Sequence, residues 1–163
     1  MVRGRALETR YGSLEARGRS LEARRGLEAR EAGEPFAAQA VDVLAAAAAS
    51  VVWDWSKVAL VANADGALPG IQTYALLIWN GRGFEGWMPT EAIEDLNRVL
   101  ARWRAELERL SRPVWAALFV GVVNDRGRLR SRWIVADDGD FDAWRIRLGE
   151  SNVPMAERGL AGL

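Results

Sequence analysis

The sequence predicts an α+β fold: an antiparallel sheet of four to five strands packed with two main helices, in the order α-β-β-(β)-α-β-β. Three stretches carry this reading. From Thr90 to Arg112, the residues Ile93, Leu96, Leu100, Trp103, Leu107 and Leu110 recur at alternating spacings of three and four. That spacing makes one apolar stripe on an α-helix. Val114 to Val123 (VWAALFVGVV) is apolar throughout, as in a strand covered on both faces. Arg128 to Ala136 alternates, with Leu129, Trp133 and Val135 set against Arg128, Arg130 and Arg132, the period of a half-buried strand.

The remaining elements follow in chain order. Residues 7–33 are a tandem repeat, LETRYGS, LEARGRS, LEARRG, LEAREAG, with leucines at 7, 14, 21 and 27 and a glycine in each unit. One leucine per unit fills only half of a coiled-coil seam, and each glycine costs about 1 kcal/mol in a helix interior. The arm 1–33 is therefore expected to be disordered or marginally helical. Glu34-Pro35 suits a helix start, and Phe36, Ala40, Val43, Leu44 and Ala47 give a modest apolar face up to about Ala49. Lys57 to Asn63 and Ile71 to Trp79 read as strands. Asn80-Gly81 is a hairpin signal, and Phe84 to Met88 is a short returning strand. Thr90 offers a cap for the long helix, and Pro113 ends it. Asn124-Asp125-Arg126-Gly127 turns the chain. An acidic loop follows, Asp137 to Asp142. Trp144, Ile146 and Leu148 suggest a further short element, and 151–163 reads as a tail. The folded domain is expected over 34–150.

Composition narrows the chemistry. The 163 residues contain no cysteine and no histidine, and Lys57 is the single lysine. Disulfides, thiolate metal sites and cysteine nucleophiles are excluded. So are the usual general base and the commonest metal ligand near neutral pH. Net charge is zero, where a nucleic-acid binder normally shows a basic excess. The run from Val43 to Trp53 is too short to span a bilayer, and a charged N-terminus does not suit a signal peptide. A soluble cytoplasmic protein without membrane association is the expectation.

Several side-chain groups offer sites as well as plain structural roles. The eight tryptophans read mainly as core anchors, with Trp87 and Trp144 the rings most expected at the surface. Arg126, Arg128, Arg130 and Arg132 could hold phosphate, the last three along one strand face, against a solvated face paired with acids. Asp137, Asp138, Asp140 and Asp142 offer oxygen ligands, but their spacing fails the EF-hand pattern. They suit a carboxylate patch for a basic partner better. GRGFEG at 81–86 lacks the lysine and helix start of a phosphate loop. No catalytic residue, metal or cofactor is expected.

From about Trp53 onward the layout resembles the YezG-like immunity proteins of bacterial polymorphic toxin systems. The resembling features are Trp55-Ser56-Lys57-Val58 leading into a strand and a leucine-periodic helix with Leu96, Leu100 and Arg104. Pro113-Val114-Trp115 then opens an apolar strand. Asn124 to Gly127 turns into a strand bearing Trp133, and the acidic stretch 137–142 follows. The resemblance implies a small cytosolic protein that binds and neutralises a toxin domain, often a nuclease, without catalysis. On grounds of charge and exposure, Asp137, Asp138, Asp140 and Asp142 are the candidate contacts, with Glu85 and Trp87 as a second contact. The alternatives are a nucleic-acid or regulatory module using the arginine face, and a structural protein oligomerising through the arm.

Overall fold

The computed structural model describes residues 5–64, 72–85, 88–137, 139–147 and 149–163, and side chains within 17–64, 74–82, 88–137, 139–147 and 149–163. The chain divides into two compact units, Met1–Glu34 and Pro35–Leu163. Helix α1 runs Arg5–Val51 with Pro35 inside it, so the helix begins about thirty residues before the position that proline suggested. Alanine, leucine, glutamate and arginine are the best helix formers, and they dominate the repeats between the glycines. Within the first unit, Leu21 and Leu27 are exposed.

Among the described residues of the second unit, five strands form one antiparallel sheet: β1 (Lys57–Ala64), β2 (Gln72–Trp79), β3 (Gly83–Glu85), β4 (Ala117–Asp125) and β5 (Arg128–Ala136). Their order is β3-β2-β1-β4-β5. This is the α+β fold with its predicted element order. Helix α2 (Thr90–Arg109) joins the β3 edge to β4. Side chains directly opposite in the register share a face. Val58, Ile78 and Val122 are aligned on one face, as are Leu60, Leu76 and Val120; Ala59, Leu77 and Gly121 are aligned on the other.

On the first face, the α2 stripe buries Leu96, Val99, Leu100, Trp103 and Leu107. Trp103 is the centre of this layer. It stacks on Phe36 at 6.2 Å and meets Trp115 and Trp133 edge-on at 6.2 and 5.2 Å. Within Pro35–Val51, α1 buries Leu44 together with Ala37, Ala40, Ala47 and Ala48, whose small side chains permit close approach.

Both ends of α2 depart from the simplest reading of the sequence. Pro89, not Thr90, is the N-cap, and it makes no side-chain cap bond. At the other end Arg112 N–H donates to Leu107 O at 2.8 Å and Ser111 N–H to Glu108 O at 2.9 Å. This is the Schellman arrangement, with Ser111 at φ 53° where glycine is usual.

On the opposite face the structure corrects the tail. Residues 151–163 form part of the core. Helix α3 (Val153–Leu160) buries Ala156, Gly159 and Leu160, and Ala156 and Leu160 join Phe119, Leu77, Val61 and Trp144 in one cluster. The approach is set by two glycines. A Cβ on Gly121 would lie 2.7 Å from Leu160 Cδ2 and 2.8 Å from Phe119 Cζ, and a Cβ on Gly159 would lie 2.4 Å from Phe119 Cζ and 2.5 Å from its Cε2. Eight residues with one glycine give little periodic signal, which is why the helix was illegible.

β5 is also corrected in part. Leu129 and Val135, expected on the covered face, are 45% and 47% exposed. β5 is an edge strand, and of the three expected residues Trp133 alone is partly covered, by the Trp103 ring. β4 is buried from Ala117 to Val123, as its unbroken apolar run predicts.

Two substitutions test these contacts by thermal or urea unfolding. Gly159→Ala should destabilise the protein by about 1–3 kcal/mol, because a methyl group has no room against Phe119. Ser111→Gly should stabilise it by about 1 kcal/mol, because it relieves a left-handed residue without removing a packed side chain.

Candidate protein-binding surface

The acidic loop is a folded turn. Asp137 Oδ1 accepts the Gly139 N–H at 2.9 Å and the Asp140 N–H at 3.2 Å. Asp140 N–H also donates to Asp137 O, and Ala143 N–H to Asp140 O. The chain then enters a 3-10 turn, Phe141–Trp144. Asp140 is exposed. Asp142 projects into solvent and pairs with the less exposed Arg145 at 2.9 Å. Asp137 thus has a folding role, while Asp140 and Asp142 are presented outward. Asp138 lies outside the described residues.

The loop is anchored from the centre of the sheet. Asn63, 7% exposed on β1, donates from Nδ2 to Trp144 O at 2.8 Å and accepts the Ile146 N–H on Oδ1 at 2.8 Å. Both polar ends of one buried amide are therefore satisfied by the backbone on either side of Arg145. Trp144, expected at the surface, is buried against Phe119 with ring centroids 5.2 Å apart. The Arg158 guanidinium lies over its other side, 4.9 Å from the centroid. That cationic cover explains why polar neighbours in sequence do not expose this ring.

The predicted second contact is not brought to this loop. Glu85 pairs with Leu77 on β3, at the opposite edge of the sheet from β5, which leads into the loop. The two edges are separated by four strand spacings, roughly 19 Å. Trp87 lies outside the described residues.

The arginine face is reduced by one member. Arg132 Nη1 donates to Gly159 O at 3.2 Å and Ala161 O at 2.6 Å, so it caps the C-terminal end of α3, where a cation meets the negative end of the helix. Arg128 and Arg130 are exposed. Among the described residues no group of three or more acidic side chains is placed to hold a metal ion. A groove between α1 and α2 is lined by Gln39, Asp42, Val43, Asp95, Arg98, Val99 and Arg102. Arg102 bonds Gln39 across it and Arg98 pairs with Asp95. Nearby, burial pushes the Tyr74 phenol up to about 12, and its hydroxyl bonds Asn97 on α2. These groups tie helix to helix and helix to sheet.

One surface residue escaped the sequence reading. Trp53 is 92% exposed, while Trp55, Trp79, Trp103 and Trp115 are buried as anchors. The available signal was Trp53-Asp54-Trp55 at the junction of a helix and a strand, where two rings so closely spaced compete for one core position. No family model matches the chain, and no curated protein matches it. Among the described residues no helix is long and apolar enough to cross a membrane.

Asn63→Leu removes the anchor of the loop. It should cost about 2–4 kcal/mol in urea unfolding, because two buried backbone groups lose their partners. Asn63→Asp should recover only part of this, since a carboxylate can accept from Ile146 N–H but cannot donate to Trp144 O.

Proposed function

We propose that the protein acts by binding, as an immunity protein that occludes the site of a cognate toxin domain such as a nuclease. The observation that carries this reading is the turn at Asp137, whose carboxylate accepts the Gly139 and Asp140 amides, with Asp140 and Asp142 exposed beside it. A pre-ordered carboxylate pair loses little entropy on association. A nuclease must be basic where it holds phosphate, so carboxylates fixed in space can stand in for substrate and speed encounter. The resemblance to YezG-like proteins points the same way, and a sequence without histidine or cysteine suits occlusion better than turnover. Localisation in the cytoplasm belongs to the same proposal.

The alternative of a nucleic-acid module on the Arg128, Arg130 and Arg132 face has less support, because Arg132 is committed to α3. Oligomerisation through the arm remains the structural alternative, and exposed Leu21 and Leu27 favour it.

The test is binding and inhibition of the toxin domain encoded beside this gene. The full chain should bind it and suppress its toxicity, and Asp140→Ala/Asp142→Ala should weaken binding by about ten-fold or more while leaving the melting temperature unchanged. Asp137 is left intact because its loss would unfold the turn. A chain that neither binds nor protects refutes the proposal, whereas full protection by the double variant removes only this loop from it.

A further inference from the structure

At the end of the sheet away from the acidic loop, three segments are joined by hydrogen bonds. Ser56 N–H and Oγ–H both donate to Trp79 O, at 2.7 and 3.1 Å. Asn124 N–H donates to Ser56 O at 2.7 Å, and Asn124 Nδ2 to Trp55 O at 3.1 Å. Val52 N–H closes the last turn of α1 on Ala48 O at 2.8 Å. The loop carrying Trp53 is therefore tied to the helix before it and to the bases of both hairpins. Its ring is held outside the core by fixed backbone.

This end of the sheet exposes apolar and basic residues. Val51 and Leu129 are both more than one-third exposed, and Leu129 is paired with Asn124 in the register. Lys57, Arg82, Arg126 and Arg128 are exposed at this end, against the two exposed carboxylates Asp54 and Asp125. Arg126 stands at φ 51° beside Gly127 at φ 90° in a two-residue turn, with Gly127 N–H held by Asn124 Oδ1 at 2.9 Å.

We infer that this end of the sheet is a second docking surface, which takes an acidic protein segment with an apolar pocket or side chain for Trp53. Tryptophan and arginine are the residues that concentrate binding energy at protein interfaces, and a rigid loop has little order left to acquire. The cationic excess selects an acidic partner. A nucleic acid fits less well. One exposed ring offers no run of stacking platforms for successive bases. This inference does not depend on the toxin reading, and the surface lies at the opposite end of the strands from Asp140 and Asp142.

A displayed library of random dodecapeptides, panned on the immobilised full chain, provides the probe. Enriched peptides should be acidic and carry an apolar or aromatic residue. Their affinity should fall about thirty-fold for Trp53→Ala, and should fall and lose its salt dependence for Arg82→Glu/Arg126→Glu. It should hold for Asp140→Ala/Asp142→Ala, which separates this surface from the acidic loop. Because Trp53 is exposed, Trp53→Ala should melt like the parent. Failure to enrich peptides, enrichment without acidic character, or affinity indifferent to Trp53→Ala overturns the inference. Low-salt binding of oligo-dT that is lost in Trp53→Ala overturns it in favour of a nucleic-acid site.

Discussion

One buried amide organises the far side of this sheet. A five-stranded antiparallel sheet with two apolar faces needs cover on both, and α1 and α2 supply only one. The other must be covered by the segment after β5, which arrives as irregular backbone with polar groups that cannot be buried unpaired. Asn63 resolves this by bonding the Trp144 carbonyl and the Ile146 amide from the middle strand. The backbone can then lie against the sheet, and Trp144 is seated on Phe119. A few residues later Asn152 repeats the device, its Oδ1 accepting the Arg147 N–H at 3.2 Å just before α3 begins. Cover for this face is thus fixed by two asparagines and by two glycines that allow α3 to approach.

What was legible in the sequence followed from long periodic signals. The α2 stripe, the unbroken run of β4 and the turn chemistry at Asn80-Gly81 and Asn124 to Gly127 all specify local structure through side-chain spacing or backbone freedom. What was illegible depended on partners distant in sequence. Asn63 reads as an ordinary polar residue at the end of an apolar strand, and its role appears only when residues some eighty positions later fold over it. Gly121 and Gly159 look like weak points of a strand and a helix, yet each is required by the other's element. Burial of Trp144 depends on Arg158, and exposure of Trp53 on a backbone held by Trp79 and Asn124.

The same distinction governs the surface. Charge runs were visible in the sequence, but not their employment. Asp137 shapes a turn and Arg132 finishes a helix. Removing such residues from a list of charges leaves a smaller set that is free to meet another molecule. Asp140 and Asp142 remain at one end of the strands, and Trp53 with the turn arginines at the other. Within the second unit the two ends of the strands thus carry charges of opposite sign on ordered backbone.

The accessible edge at β5 has a consequence of its own. A nine-residue strand with an open hydrogen-bonding rim and half-exposed Leu129 and Val135 is a template for pairing with strands of other molecules. Arg128 and Arg130 are exposed along that strand. A neighbouring copy aligned edge to edge would bring like guanidinium groups together and strip them of water. Whatever else these cations contribute, their placement keeps the sheet from propagating sideways into fibrous aggregates.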